Sequence, residues 1–284
     1  MADEVKPKKD ILINALSDFV SVGRSILKKA DNECSKGHPQ EIASVFGLAA
    51  AAASFFTSLS VKKRSEAEEL WKTAYHHAEV RDCVEDLLQL EVDWDTFLQR
   101  QDVEQQMSDR LMGQRPKAES LTGEMVLTNA RTRGVVNLSQ YLGKGESLLL
   151  ANQGLLDAQS VRVLVISFGC QEGAEYWLED TGCKYDMLLD PQKNMYTAFG
   201  LGRSHAKVFK FNNMLEFGEY SFLNRTFPQA PRHFITDIYQ MGGDFVLDEG
   251  GRVIYSHPSQ GPMDRPAAAE ILAGAAEGRR PSDA

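Results

Sequence analysis

Cysteine is scarce: the 284 residues contain four, Cys34, Cys83, Cys170 and Cys183. No two of them stand in CxxC spacing, and no Cys/His set has zinc-finger spacing. That excludes a small disulfide-stapled secreted fold and gives no structural metal site, so no metal and no cofactor is expected. Basic charge is also short, 31 Lys and Arg against 40 Asp and Glu for a net charge of -9. Nucleic-acid binders need a basic patch or stripe, so no nucleic-acid partner is expected. The short runs Lys6, Lys8, Lys9 and Lys62, Lys63, Arg64 suit solvated helix ends. Met1 to Val20 carries acidic residues early and no apolar core, which is not the pattern of a secretory signal. A reducing, cytoplasmic setting is the resulting expectation.

Long hydrophobic runs are nearly absent. The exception is Ile42 to Val61, uncharged over twenty residues, about the length of a bilayer crossing. Its alanines, with Ser44, Ser54, Thr57, Ser58 and Ser60, make it weakly hydrophobic for insertion. A buried helix of a bundle satisfies the same pattern, and no membrane partner is expected, with a span as the alternative.

Residues 10 to about 112 have helical periodicity. Ile11, Leu12, Ala15, Leu16, Phe19 and Val22 repeat at three and four residues, which predicts one apolar face. Asn32 to Gln40, with Gly37 and Pro39, predicts a loop. Ser65 and Glu68 have capping-box spacing before Leu70 and Trp71. A bundle of three or four helices follows, and Gly113 to Pro116 interrupts it. The expected division is an α-helical region over 1–115, an α/β domain over 116–276 and a flexible tail over 277–284. His76 and His77 lie inside the helical region without a third ligand and read as ordinary helix residues. His205, His233 and His257 are isolated and carry no assigned role.

Beyond Pro116 the texture changes to short apolar runs between turns: Val126 to Leu127, Val135 to Leu138, Ser147 to Leu150 and Val161 to Phe168. Glu172 to Asp180 predicts a helix stopped by Gly182, and Tyr185 to Leu189 a further strand. Pro191 opens a helix that ends near Gly200. Asp248 to Gly251 is a hairpin turn between Phe245 to Leu247 and Arg252 to Tyr255, and Arg265 to Gly274 is a closing helix. Strands alternating with helices predict an α/β domain with a mixed sheet. Residues 202–241 are rich in aromatics, among them Phe209, Phe211, Phe217, Tyr220, Phe222, Phe227, Phe234 and Tyr239. They suit the packing of a helical insertion, with a lid, a dimer surface or a pocket wall as alternatives.

Four strings are more specific than this order. Asn129-ARTRGVVNLSQYLGKGESLLL, Ile166-SFG with Thr181-GCKYDMLLD, Leu189-DPQKNMYTAFGL and Gln240-MGGDFVLDEGGRVIYSHPS occur in that sequence. Over roughly Leu121 to Leu272 the chain resembles the peroxiredoxin-like (AhpC/TSA-related) branch of the thioredoxin-like superfamily, the branch that includes selenoprotein L. The resemblance implies a thioredoxin-like mixed sheet preceded by an α-helical bundle. It also implies a thiol or selenol oxidoreductase lineage, acting on peroxides or on the disulfide of a protein redox partner.

In that family the redox pair follows the first central strand and caps the crossover helix. A helix N-terminus there stabilises the thiolate or selenolate, and a second nucleophile one turn along resolves the intermediate. Here only Ala151 to Ser160, ANQGLLDAQS, separates the two strands, and it contains no cysteine. A parallel crossover normally needs a dozen or more residues. The expectation is that a segment has been lost at the Leu150-Ala151 junction, through a gene model that skipped a selenocysteine codon or through splicing. No catalytic residue is identified; Cys170 and Cys183 are the candidate thiols, weighed against cysteine as a small core residue. Such a chain is expected to be inactive as an oxidoreductase. The alternative is a non-catalytic interaction protein on a redox-dead scaffold.

Overall fold

The computed structural model describes residues 5–35, 43–112, 114, 116–142, 147–149, 161–223, 234 and 237–278. The Leu150-Ala151 junction, most of the expected loop after Asn32, His233, Phe227 and most of the C-terminal tail therefore lie outside the described residues. Helices α1 (Val5–Ser35), α2 (Gly47–Leu59), α3 (Arg64–Ala74) and α4 (Ala78–Glu104) come first. After α5 (Asp109–Met112) follow strands β1 (Val126–Asn129), β2 (Val135–Asn137), β3 (Ser147–Leu149) and β4 (Val161–Ser167). Next are α6 (Gln171–Thr181), β5 (Asp186–Leu189), α7 (Asn194–Ala198), α8 (His205–Val208) and α9 (Phe211–Phe222). The chain closes with β6 (Gly243–Leu247), β7 (Val253–Pro258) and α10 (Ala268–Gly278). Two compact units result, Met1–Gln106 with His205–Phe227, and Met107–Ser204 with Pro228–Ala284.

The helical unit is built on α1, whose buried stripe is Leu12, Ala15, Leu16, Phe19 and Val20. Ile11 and Val22, expected on that stripe, are exposed, so the apolar face is narrower and turned slightly from the predicted one. Ser65 does not cap α3: the helix begins at Arg64, and Glu66 accepts the Lys62 N–H at 2.8 Å. Glu68 instead binds the Arg64 guanidinium at 2.9 Å, which Glu91 of α4 also holds at 2.8 Å. The alanine-rich helix α2 buries Leu48, Ala52, Phe55 and Phe56. A Cβ at Gly218 of α9 would stand 2.7 Å from the Ala52 Cβ and 2.9 Å from the Ala49 carbonyl oxygen. Small side chains on both helices thus permit close backbone approach, which accounts for the uncharged stretch seen in the sequence. No single described helix is long and apolar enough to cross a membrane; residues 44–59 and 64–74 meet that test only as a pair bent by 53°.

The second unit is a seven-stranded mixed sheet in the order β2-β1-β5-β4-β3-β6-β7. Strands β3, β4 and β5 are parallel, whereas β1 and β6 join them antiparallel and the hairpin partners β2 and β7 form the edges. Alternation along β4 sends Leu164 and Ile166 to one face, with Leu188, Met195, Phe199 and Phe245. Val161 and Val163 go to the other face with Ile254 and Ile271 of α10, and Val165 joins Ala174 and Leu178 of α6 there. A strand buried on both faces reads as the continuous apolar run observed.

Gly182 ends α6 at φ +63, the left-handed stop its position implies. Pro191 does not itself open α7. That helix starts at Asn194, where the buried Asp190 carboxylate accepts the N–H groups of Asn194 (3.0 Å) and Met195 (2.8 Å).

Candidate functional site

In an open α/β sheet, ligands and reactive groups gather beyond the carboxyl ends of the parallel strands. Here β4 runs out at Ser167, and Phe168-Gly169-Cys170 leads into α6. Ser167 Oγ accepts the Gly169 N–H at 3.1 Å, which tightens the turn. Cys170 is then the N-cap of α6, in extended conformation, and its Sγ accepts the Gly173 N–H at 3.3 Å. Gly173 is needed there, because a Cβ would press on Cys170 Sγ and the Phe234 Cβ, each at 3.3 Å. A cleft of about 340 Å³ opens beside the thiol, walled by Phe168, Tyr176, Trp177 and Phe234. Lys193 lies 4.4 Å from the Phe168 ring centre and is held by Asp237 at 2.6 Å.

Cys183, the other candidate, is buried just past the far end of α6, and Arg131 binds its carbonyl oxygen. Eleven residues of helix separate it from Cys170, about 16 Å at 1.5 Å per residue. A disulfide needs Cα atoms within about 7 Å. The two thiols are therefore not a pair, and both are free.

The remaining cysteines fare no better. In the helical unit α1 and α4 run parallel: Lys9 meets Glu79, and Asp31 meets Arg100. Cys34 feels Arg100 and Glu104 near the end of α4, whereas Cys83 lies near its start; burial, then neighbouring aspartates, raises the pKa of each thiol. Some seventeen residues of helix, about 25 Å, lie between those ends. The connection where the resemblance places the redox pair, 150–160, is outside the described residues and has no cysteine in its sequence.

No group of three metal-ligating side chains occurs among the described residues. The rings of His76 and His77, on the helical unit, lie 4.0 Å apart and tilted by 42°. Asp102 caps α8 by accepting the N–H groups of His205 at 2.6 Å and Ala206 at 3.2 Å, its Oδ1 also lies 3.1 Å from His205 Nδ1, and His257 Nε2 is 3.1 Å from Asp264 Oδ1. The insertion aromatics divide: Phe209 and Phe211 are fully buried in the helical unit, while Phe234 contacts Tyr176 in the sheet unit and Tyr239 is buried there.

A further buried polar group is Asp244 of β6. It is wholly buried, with Oδ2 bound to Arg265 Nη1 at 3.1 Å and Oδ1 unpartnered among the described residues. Burial raises its pKa, opposed by the Arg265 charge. Its only sequence signal is an aspartate placed between Gly243 and Phe245 in an apolar strand.

Residues 149–261 match the family described as AhpC/TSA antioxidant enzyme. The chain thus carries an AhpC/TSA-like domain of the thioredoxin-like superfamily, in less than half of its length, and the match begins where β3 ends. No curated protein is similar enough to match. Among solved structures, one of a protein from Aquifex aeolicus VF5, provisionally assigned to electron transport, is 12% identical. It covers 58% of this chain and 99% of its own, at a TM-score of 0.32. That value carries no argument about fold or function.

Proposed function

We propose that this chain is a thioredoxin-like redox scaffold that does not turn over through paired thiols and acts by binding, in a reducing intracellular compartment. The observation that supports it is the placement of Cys170 and Cys183 at opposite ends of α6. Reduction of a peroxide oxidises one thiol to a sulfenic acid, and a second thiol must then displace water to form a disulfide. Exchange with a protein disulfide likewise needs a neighbouring thiol to release the mixed disulfide. Cys183 is not within reach of Cys170, nor Cys34 of Cys83, to resolve either intermediate.

The experiment is consumption of hydrogen peroxide and reduction of insulin disulfides, each driven by dithiothreitol. The chain as written is expected to match its Cys170→Ser variant at the blank rate. A version with a Cys-x-x-Cys turn and crossover helix inserted at Leu150-Ala151 is expected to turn over. Turnover of the unaltered chain would overturn the reading. Activity in neither form leaves binding as the whole role. Relation to the selenoprotein L branch belongs with this proposal, and sequencing the transcript across Leu150-Ala151 tests it: an uninterrupted message as written rules out a skipped codon.

A second reading rests on Cys170 alone. Its Sγ is half-exposed at a helix N-terminus and accepts a backbone N–H, the setting of a one-cysteine reaction in which an external thiol completes the cycle. Rapid alkylation of Cys170 near neutral pH, with Cys183 slow, favours it; slow labelling of both removes it.

A further inference from the structure

Helix α4 carries nine carboxylates and two arginines in its 27 residues, yet one stripe of it is uncharged. Leu88, Val92, Thr96, Gln99 and Val103 follow one another at intervals of four, four, three and four residues. At 3.6 residues per turn they fall within an arc of about 80°. All five are exposed, Leu88 at 48%, Val92 at 57% and Val103 at 63%. A single exposed apolar side chain such as Ile11 of α1 is ordinary at a protein surface. A run at alternating intervals of four and three is different: it is the seam along which one helix receives another, with the flanking charges selecting the partner.

The charges around this seam differ in what holds them. On one flank Glu91 binds the Arg64 guanidinium at 2.8 Å, and Asp95 accepts the Phe211 N–H at 2.8 Å. On the other flank Asp86 holds Arg24 at 2.6 Å, and further along Asp31 holds Arg100. Lys28 lines the groove between α1 and α4 beside Thr96 and Phe97. Positive charge therefore lies near the C-terminal half of the seam. Toward the N-terminal half, Asp82, Glu85 and Asp93 are exposed and make no ion pair among the described residues, with Arg81 the one α4 cation beside them. Glu85 ends the seam one turn before Leu88, and Asp82 and Asp93 edge it. A complementary partner carries its own cations opposite residues 82–93 and an apolar stripe opposite Leu88 and Val92.

We infer that this face of α4 docks an amphipathic helix of another protein, with apolar side chains against Leu88, Val92 and Val103 and lysines or arginines against Asp82, Glu85 and Asp93. The inference rests on the binding role proposed above and supplies its surface and partner class. Turnover by the thiols, read by the peroxide and insulin assays, would overturn that role; the titration below reads the seam alone.

The test is fluorescence-anisotropy titration of the full chain against two labelled amphipathic peptides, one with leucine and lysine at helical spacing and one with every lysine replaced by glutamate. The Leu/Lys peptide is expected to bind saturably and more tightly than the Leu/Glu peptide. Val92→Glu should weaken the Leu/Lys peptide by about tenfold, the scale of one anchor lost from the centre of a contact, while Ile11→Glu leaves it unchanged. Asp82→Lys, Glu85→Lys and Asp93→Lys together should reverse the preference between the peptides. All these positions are exposed, and an unchanged urea midpoint shows that each variant still folds. Sedimentation without peptide is the companion measurement: a dimer dissolved by Val92→Glu would give the seam to a second copy and overturn the proposed partner. Equal binding of the two peptides, no saturable binding of either, or binding indifferent to Val92→Glu would overturn the inference as well.

Discussion

Gly218 shows how one missing methyl group decides a packing contact. Glycine inside a helix ordinarily costs about 1 kcal/mol relative to alanine, so Gly218→Ala would stabilise an isolated α9. Here the new Cβ meets the Ala52 Cβ at 2.7 Å and backbone atoms of Ala49 and Ala53 at 2.9 Å, none of which can swing aside. Overpacking of that kind costs about 1–3 kcal/mol, so the substitution is expected to destabilise the chain, read as a lower urea midpoint. Asp248 gives a pH-dependent counterpart. Burial opposes its ionisation, but the N–H groups of Arg252 and Gly250 and the Arg252 guanidinium outweigh it and hold its pKa below the usual carboxylate value. A depressed folded-state pKa contributes stability at neutral pH and loses it as pH falls through that pKa, below about 4. Asp248→Asn should therefore be less stable than the native chain at pH 7, with the difference shrinking as denaturation is repeated toward pH 2.

At the scale of elements, α6 sets the distance between two of the cysteines. Its extent was legible from the run Glu172 to Asp180 and from Gly182, whereas the N-cap at Cys170 was not. What the pattern could not say was whether Cys183 returns to Cys170, since sequence spacing of thirteen is compatible with either answer until the helix is known to be straight and unbroken. Gly182 stands at φ +63 with open space around it, so only backbone strain opposes a side chain. Gly182→Ala is expected to cost about 1 kcal/mol, measured as a shift in urea midpoint without change in the alkylation rate of Cys170. Helix α7 teaches the opposite lesson. Asp190-Pro191 marked the right place, but the carboxylate of Asp190 reaches four and five residues onward, and that delayed the helix start to Asn194.

The whole molecule is organised by an excursion. The chain leaves the sheet unit after Ser204 and returns beyond Phe227, and its two ends are joined within that unit by the antiparallel bridge of Arg203 and Gln240. Between them, α8 and α9 complete the helical unit. Trp94 donates to the Phe209 carbonyl at 2.8 Å, Phe211 packs on Phe19 and Trp94, and Glu219 accepts the Arg64 N–H at 2.7 Å. Replacing residues 205–227 with a short Gly-Ser linker should therefore uncover the core of the helical unit. The expected result is strong binding of a hydrophobic dye and early proteolysis within residues 1–106. Retention of a native-like helical unit by the deleted chain would contradict the shared core.

Local pattern was enough for the elements of the sheet, the hairpin at Asp248 to Gly251, the stop at Gly182 and the helical character of the first hundred residues. Each of these depends on neighbours within one turn or one strand, where periodicity and special backbone angles leave a direct trace. The absence of a local dithiol was equally plain, because cysteine spacing is a property of the chain itself. Other features required distance in space between residues remote in sequence. These include which aromatics of 202–241 belong to the helical unit, the separation of Cys170 from Cys183, and the pairing of buried Asp244 with Arg265. Contact or separation between residues a dozen or more apart leaves no period in the sequence, so only the tertiary structure decided it.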